Sequence, residues 1–332
     1  MTTKNLLLLC ALAMTASSAC AQKRKPSSSL PEWQDVAITN LNRLPMHASF
    51  FAYENEALAK AQSKEGSAYF LSLNGAWKFR WVEKPADVPQ DFYADIYDVS
   101  TWESFVVPAN WEFNSTGKTY GYPIYVNHPF EFGRGWQWLQ RHYAQPDLVS
   151  NIPTDYNPVG CYRRTFTLPE AWSGREIFIH LGAVKSAFYI WVNGERVGYS
   201  EDSKLEAEFN LTPYLRKDNN TVALQVYRWS IGSYLEAQDF WRISGIEREV
   251  FLYATPKLHI RDLKVVASLD KDYKDGVLDL DITIRDEAFR GSKSTDLSDT
   301  VAWQFSGYIA DASGAKVADL PIHTGQLAGN FR

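Results

Sequence analysis

The stretch Ala187-Phe-Tyr-Ile-Trp-Val192, Asn193-Gly194, Glu195-Arg-Val-Gly-Tyr199 decides the fold of this 332-residue chain. Two runs that are rich in aromatic and β-branched residues flank the dipeptide Asn-Gly, which tolerates positive φ at both central positions of a tight turn. The stretch therefore predicts a β-hairpin, and the runs on either side of it predict further strands.

The neighbouring segments alternate in the same way. In residues 222–227, apolar Val222, Leu224 and Val226 alternate with the residues between them, which predicts a half-buried strand. Residues 175–181 and 248–253 predict strands for the same reason, whereas residues 54–67 predict a short helix that Gly66 ends. Many short strands with little helix predict an all-β chain built as an antiparallel sandwich or jelly roll.

The first residues have the composition of an export signal. A basic start, an apolar run and small residues precede a cleavage point after Ala21, which predicts a signal peptide over residues 1–21 and an exported, periplasmic or secreted protein. Alternatively, Cys20 becomes the lipidated first residue of a membrane-anchored protein. The Lys, Pro and Ser content of residues 22–32 predicts a flexible linker.

Two folded domains are expected after this linker. Residues 33–254 contain the aromatic strands, and the chain changes character near Thr255-Pro256. From there, Leu278, Leu280 and the later apolar residues of one strand alternate with acidic ones, which predicts a second sandwich. We expect residues 255–332 to form only part of an immunoglobulin-like sandwich, because such a domain commonly takes ~100 residues.

Composition excludes several classes of function. The net charge of −5 and the lack of a dense Lys/Arg run argue against nucleic acid as a partner. No later segment approaches the ~18 uncharged apolar residues of a membrane span. His47, His128 and His142 are too scattered for a metal-ligand spacing, and no nucleotide-binding motif is found. Cys161 is expected to be a buried small hydrophobic residue rather than a nucleophile.

Five motifs follow one another along the chain. They are Ser72-Leu-Asn-Gly-Ala-Trp-Lys-Phe79, Val107-Pro-Ala-Asn-Trp111, Gly121-Tyr-Pro-Ile-Tyr-Val-Asn127, Gly160-Cys-Tyr-Arg-Arg164, and the segment from Arg228-Trp-Ser through Tyr-Leu-Glu-Ala-Gln-Asp239 to Ile246. In this order they closely resemble the N-terminal region of the large bacterial β-galactosidases of glycoside hydrolase family 2. The resemblance runs from about Trp33 to the chain end, and it implies a galactose-binding-like jelly-roll sandwich followed by a truncated immunoglobulin-like β-sandwich.

The resemblance also implies where catalysis takes place. Members of this family cleave the glycosidic bond with two glutamates of a (β/α)₈ barrel, and both are expected beyond residue 332. Asn55-Glu56 is followed by Ala57 and so lacks the Asn-Glu-Pro context of the acid/base glutamate. Glu201-Asp202 is expected to lie in a solvated loop. No catalytic residue is therefore expected in this chain.

Two binding residues carry over from the family by position. Asn110 and Asp239 match residues that reach from the jelly roll into the galactose pocket, and the resemblance implies that Asp239 also shares a sodium ion with the sugar. The family uses Na⁺ and Mg²⁺, but Ile231 stands where an acidic magnesium ligand is expected. An apolar side chain offers magnesium no oxygen donor, and Glu32 and Asp35 are expected to be plain surface residues.

Three interpretations remain open. In the first, the chain is the substrate-binding part of a β-galactosidase, whose partners are a galactoside, the missing catalytic barrel and further copies in a homo-oligomer. In the second, it is a stand-alone secreted carbohydrate-binding module, with Trp136 and Trp138 as candidates for an exposed aromatic row. In the third, it is a remnant whose clipped second domain exposes unpaired strand edges.

Overall fold

The computed structural model describes residues 30–113, 120–125, 152–236, 239–286, 301–320 and 323–327. Antiparallel strands, numbered in chain order, form almost all of its regular structure. The largest sheet has seven strands in the order β1 (Asn40–Leu41), β10 (Glu195–Ser200), β9 (Ala187–Val192), β12 (Asn220–Tyr227), β6 (Val159–Phe166), β3 (Gly75–Val82) and β4 (Glu103–Val107). The predicted all-β architecture is confirmed.

Two smaller sheets complete the first unit. One has the order β11 (Ala207–Asn210), β7 (Glu176–Leu181), β14 (Val250–Thr255) and β2 (Phe70–Ser72). The other has the order β5 (Ala109–Asn110), β13 (Gly245–Ile246) and β8 (Val184–Lys185). One buried apolar cluster joins the seven-stranded sheet to the four-stranded sheet, with Trp77 and Phe188 from the first and Ile179 and Leu252 from the second. The first unit is therefore a sandwich.

The central hairpin forms as predicted. Asn193 has φ 52° and Gly194 has φ 84°, which are the positive values that the Asn-Gly turn between β9 and β10 requires. A bulge shifts the register between Arg196 and Gly198. A Cβ atom on Gly198 would lie 2.3 Å from the carbonyl oxygen of Leu41, so only glycine allows β1 to approach so closely.

The prediction that residues 222–227 are half-buried is wrong, because both faces of β12 are covered. Val222 and its alternate neighbours pack into the sandwich core, whereas Ala223 and Tyr227 belong to a second buried cluster on the opposite face. Trp33, Phe92 and Trp102 are buried in that second cluster. Segments outside the sheets therefore cover the face that the alternation assigned to solvent.

The predicted helix over residues 54–67 is much shorter in the structure. Helix α1 spans Glu56–Ala61, and Asn55 caps it by accepting a hydrogen bond from the backbone N–H of Leu58 at 3.0 Å. Gln62, in the left-handed conformation, ends the helix, and Gly66 instead closes a separate 3₁₀ turn. A second short helix, α2, spans Ser233–Glu236. Further 3₁₀ turns are Glu32–Gln34, Lys64–Gly66, Pro85–Asp87, Trp111–Phe113, Glu170–Trp172 and Thr212–Tyr214.

The later part of the chain consists of strand pairs. They are β15 (Leu258–Leu269) with β16 (Gly276–Asp286), β17 (Val301–Phe305) with β20 (His323–Leu327), and β18 (Tyr308–Ala310) with β19 (Lys316–Asp319). In β16, Leu280, Ile282 and Ile284 are half-buried and Asp281 and Thr283 are exposed, as the alternation predicts. Leu278, which the alternation places on the buried face, is exposed. In the part of the chain described, no helix is long and apolar enough to span a bilayer.

Candidate functional site

Asn110 lies on the edge of the three-stranded sheet. Its strand, β5, pairs with β13, so that Asn110 lies opposite Gly245. Gly245 has φ +123°, and a Cβ atom there would lie 2.7 Å from the carbonyl oxygen of Ala109. Only glycine allows the two strands to come this close at a positive φ, which explains the glycine in the Ser-Gly-Ile segment.

The side chain of Asn110 is held by acceptors. Its Nδ2 donates to Glu247 Oε1 at 3.1 Å and approaches the carbonyl oxygen of Ser244 at 3.5 Å. Glu247 also pairs with the Lys204 ammonium, and only 11% of its side chain is exposed. Asn110 itself is half-buried, and its amide nitrogen is directed at these acceptors.

Asp239 lies in the segment that leads into β13. Its Oδ1 accepts a hydrogen bond from the Tyr125 hydroxyl at 2.8 Å, and this bond raises the pKa of Tyr125. The Tyr125 ring lies 5.4 Å from that of Trp241, which lies 6.2 Å from Phe113. Asp239 and these three rings are exposed, so they form an open polar and aromatic surface.

The structure thus places Asn110 and Asp239 on two segments that pair with each other through β5 and β13. No hydrogen bond joins their side chains among the residues that the structure describes. The Asn110 side chain bonds to Glu247, directly after β13, whereas the Asp239 side chain bonds to Tyr125 in the 120–125 segment.

A buried ion pair holds both segments in place. Arg228 pairs with Glu112 inside the protein, and Glu112 also accepts a hydrogen bond from the Ser244 backbone N–H at 2.9 Å. Arg228 donates to the carbonyl oxygens of Tyr122 and Arg242, each at 3.1 Å. Burial raises the pKa of Glu112, even though the charge of Arg228 acts in the opposite direction.

Glu201 does not lie in a solvated loop, so this expectation is wrong. Glu201 is only 5% exposed. Its Oε1 accepts a hydrogen bond from the Tyr199 hydroxyl at 2.5 Å, and its Oε2 accepts one from the Gly232 N–H at 3.1 Å. Burial raises the pKa of Glu201 to about 7. Asp202 is exposed, at φ 84°, as expected of a turn residue.

The residues considered for magnesium have other partners. Glu32 accepts from the Tyr189 hydroxyl at 2.6 Å and pairs with Arg196 at 2.7 Å. Asp35 is buried at 5% exposure, which contradicts the expectation of a surface residue, and Ile231 packs against the second apolar cluster.

Other sequence expectations have mixed outcomes. Cys161 is fully buried, and burial raises its pKa far above the ordinary thiol range, as expected of a small hydrophobic residue. His47 bonds Glu208 at 3.0 Å. His128, His142, Trp136 and Trp138 lie outside the described residues, as do residues 1–29.

Sequence reasoning missed the charged residues that support the site. The Lys204 ammonium lies 4.7 Å from the centre of the Phe240 ring, and that of Lys185 lies 5.5 Å from it. Lys185 also donates to the carbonyl oxygen of Trp241 at 3.2 Å. Single lysines and glutamates far apart in sequence carry no pattern, so only the fold reveals that Lys204 and Glu247 meet.

A separate cavity of about 260 Å³ lies on the outer face of the four-stranded sheet. Glu208 is buried beside it and accepts hydrogen bonds from His47 and His180, each at 3.0 Å, and pairs with Arg261 at 2.7 Å. The Tyr253 hydroxyl also donates to it at 2.9 Å. Because protein groups occupy this carboxylate, the cluster ties β11 to β15 rather than forming an open site.

Comparison with known proteins gives the family. Residues 70–256 match the family model described as glycosyl hydrolases family 2, sugar binding domain. A β-galactosidase of Priestia megaterium is 39% identical over 300 residues, which cover 90% of this chain and 27% of that protein. A β-galactosidase of Halalkalibacterium halodurans is 36% identical over 302 residues, which cover 91% of this chain and 27% of that protein. The chain therefore spans about a quarter of the length of these relatives.

Solved structures agree on the fold. A calcium-binding mutant of Bacteroides uniformis β-glucuronidase 2 superposes with a TM-score of 0.56 at 21% identity, covering 79% of this chain and 26% of that one. A glycosyl hydrolase family 2 member from Bacteroides cellulosilyticus superposes with a TM-score of 0.53 at 19% identity, covering 78% and 29%. The chain belongs to glycoside hydrolase family 2, and residues 70–256 match the sugar binding domain of that family.

Proposed function

We propose that this chain is the N-terminal, substrate-binding part of a β-galactosidase, an enzyme that removes terminal non-reducing β-D-galactose from galactosides. The observation that supports the proposal is that Asn110, half-buried and bonded to Glu247, lies on β5, while the exposed Asp239 lies on the segment that leads into β13, the strand that pairs with β5. The identity of 39% to a β-galactosidase over most of the chain supports it. Cleavage itself is assigned to the catalytic barrel that the family relationship implies.

The two side chains suit a sugar chemically. An amide offers one acceptor and two donors, and a carboxylate accepts from hydroxyl groups. The Trp241 ring beside Asp239 adds an apolar face against which the C–H groups of a pyranose can pack. Each hydrogen bond to a sugar hydroxyl would contribute about 0.5 to 1.5 kcal/mol, so one wall of a pocket gives weak binding on its own.

A sodium ion fits this surface as far as one ligand is concerned. In the described residues, Oδ1 of Asp239 accepts from the Tyr125 hydroxyl, and the carboxylate supplies hard oxygen donors of the kind that such a cation prefers. No group of three His, Cys, Asp or Glu residues with metal-binding geometry occurs in the described parts of the chain. Asp239 would hold the ion together with oxygens from the sugar and from the barrel.

A stand-alone carbohydrate-binding module is the second candidate. Its support is the exposure of four aromatic rings on the segments that meet near Asp239, with 57% for Phe113, 76% for Tyr122, 50% for Tyr125 and 44% for Trp241. Exposed rings of this kind form stacking surfaces for sugars. In a module, such rings would carry most of the affinity, whereas in the half-site of an enzyme Asn110 and Asp239 would.

Calorimetric titration of the full chain with galactose tests the proposal. Glucose, which differs only in the orientation of one hydroxyl group, is the control ligand, and Asp202→Ala is the control variant because Asp202 is exposed and lies outside the site. We expect millimolar binding of galactose in preference to glucose, and loss of that binding in Asn110→Ala and Asp239→Ala. Binding that survives both substitutions but is lost in Trp241→Ala would favour the module, and no binding at all would count against both.

Export and assembly complete the proposal. We propose that residues 1–21 direct export, with lipidation at Cys20 as the alternative, and that the complete enzyme forms a homo-oligomer. Fractionation of cells that express the tagged chain, with and without Cys20→Ala, separates a soluble exported product from an anchored one. Light scattering of the purified chain measures its oligomeric state.

A further inference from the structure

The orientation of the Asn110 amide is fixed by its surroundings. Both groups behind it, the Glu247 carboxylate at 3.1 Å and the Ser244 carbonyl oxygen at 3.5 Å, can only accept hydrogen bonds. The nitrogen of the amide must therefore face the protein. Turning the amide over would place Oδ1 against two acceptors, so the oxygen points away from them.

Glu247 depends in turn on Lys204. The Lys204 ammonium donates to Glu247 Oε2 while Asn110 occupies Oε1, so the carboxylate bridges the two side chains. Glu247 is 11% exposed and Lys204 is 40% exposed, so the acid is the more buried member of the pair. Without the Lys204 ammonium group, the largely buried carboxylate would lose its direct ion-pair partner, would keep the charge of Lys185 farther away, and would be drawn towards water.

Lys204 also contacts the other half of the site. Its ammonium lies 4.7 Å from the centre of the ring of Phe240, the residue directly after Asp239. The backbone before Lys204 is tied to α2, because Glu236 accepts hydrogen bonds from the N–H and the hydroxyl of Ser203. One side chain therefore touches both the group that orients Asn110 and the segment that carries Asp239.

We infer that Lys204 and Glu247 are positioning residues for sugar recognition: they hold the Asn110 amide so that Oδ1 alone faces the ligand and accepts a hydrogen bond from a galactoside hydroxyl. This inference rests on the proposed function for the choice of ligand, but the positioning itself is a property of the free chain. It predicts that Asn110 favours a ligand whose hydroxyl group donates a hydrogen bond at this position over a ligand that offers no donor there.

The chain offers a matched control lysine. Lys64 also pairs with a glutamate, Glu249, and its ammonium lies 4.8 Å from the centre of the Phe251 ring. Lys64 lines the separate cavity rather than the surface around Asn110. Lys64→Met thus removes the same kind of ion pair and ring contact at a distant place.

Nuclear magnetic resonance of the full chain, labelled with ¹⁵N at asparagine, tests the positioning. The side-chain amide signals of Asn110 are identified by their loss in Asn110→Asp. We expect Lys204→Met and Glu247→Ala to shift or broaden these signals, Lys204→Arg to restore them, and Lys64→Met to leave them unchanged. Signals that stay in place in Lys204→Met, or that move equally in Lys64→Met, would overturn the inference.

Titration with galactose then separates this inference from the proposed function. If both are right, Lys204→Met weakens galactose binding about three- to tenfold, which is the range of one hydrogen bond, and Lys64→Met does not. If the wild-type chain binds no galactose although the Asn110 signals respond to Lys204→Met, the proposed ligand is wrong and the positioning stands. If galactose binds but the Asn110 signals ignore Lys204, the positioning is wrong and the proposed function stands.

Discussion

Arg228 and Glu112 form an ion pair inside the sandwich, with 2% of the Arg228 side chain and none of the Glu112 side chain exposed. The pair contacts two further backbone segments, because Glu112 accepts from the N–H of Ser244 and Arg228 donates to the carbonyls of Arg242, on the same segment, and of Tyr122. These are the segments that flank Asn110 and Asp239. The site is therefore supported from within by a charge pair rather than by apolar packing alone.

Replacing Arg228 should destabilise the chain strongly. Arg228→Met leaves the Glu112 carboxylate buried without its partner, which costs about 3 to 5 kcal/mol of unfolding free energy. Arg196→Met breaks the pair with Glu32, in which 43% of the Arg196 side chain is exposed, and should cost less than about 1 kcal/mol. Urea unfolding followed by tryptophan fluorescence measures the unfolding free energy of both variants. Equal decreases in the two variants would contradict the central role of the buried pair.

Glu208 should contribute far more to the free energy of unfolding than Glu206, which lies two residues earlier in the chain. Although burial opposes it, hydrogen bonds from His180 and His47 and the charge of Arg261 lower the pKa of Glu208. Its contribution is therefore present above the pKa of an unfolded glutamate, about 4.3, and is lost as the pH falls further. At pH 7, Glu208→Gln should cost about 3 to 5 kcal/mol.

The control for that experiment is Glu206→Gln, since Glu206 is half-buried and accepts a hydrogen bond from the hydroxyl of the exposed Ser49 at 3.0 Å. Its unfolding free energy should stay within about 0.5 kcal/mol of the wild type. The difference in unfolding free energy between the two variants should become smaller below about pH 4.5. A gap that is constant with pH would show that the charge of Glu208 is not what stabilises this cluster.

Glu201 should produce the opposite pH dependence. Because burial raises its pKa to about 7, the folded chain holds a proton between about pH 4.5 and 7 that the unfolded chain has released. Its stabilising contribution is complete below that window and is lost as the pH rises through it, by about 3 kcal/mol in all. Glu201→Gln keeps the shape and an acceptor for Gly232 but cannot ionise.

Urea unfolding of the wild type and of Glu201→Gln at pH 5, 6, 7 and 8 measures this effect. The difference in unfolding free energy should move in favour of the variant as the pH rises to about 7 and should level off above that pH. Other titrating groups, including His47 and Glu208, are common to both proteins and cancel in the difference. Parallel stability curves would mean that Glu201 is charged in the folded chain at all these pH values.

Gly160 should not tolerate a methyl group. A Cβ atom there would lie 2.6 Å from the ring of Trp111, the residue after Asn110, and 2.9 Å from the ring of Phe79. Gly160→Ala should cost about 1 to 3 kcal/mol through overpacking and should shift the Trp111 fluorescence. Gly276→Ala, where a Cβ atom would meet no other atom within 4 Å, should be neutral or slightly stabilising. Equal stability of the two variants would contradict the packing around Trp111.

Local patterns predicted the strands well because their signals are local. The Asn193-Gly194 turn forms as expected, and the alternation in β16 matches its exposure from Leu280 to Ile284. The same alternation failed in β12, because the segments that contain Trp33 and Phe92 cover the second face of the sheet from far away in sequence. Periodicity reports which residues share a face but not what later packs upon it.

The site was predictable only in part, for a similar reason. Asn110 and Asp239 were found through motifs that resemble a family, whereas nothing near Glu247 or Lys204 in sequence suggests that the two meet. Glu201 was misjudged because its burial depends on the backbone around Gly232, which folds over it. Contacts between distant segments create these environments, so a single sequence carries no local sign of them.

A crystal structure of the chain with galactose tests the central claim most directly, namely that Asn110 and Asp239 form one wall of a galactose site. We predict density for one sugar, with a hydroxyl group within about 3.2 Å of Asn110 Oδ1 and another oxygen at the same distance from Asp239. Galactose bound instead in the cavity beside Phe251, or only on aromatic rings with neither Asn110 nor Asp239 in contact, would contradict the account.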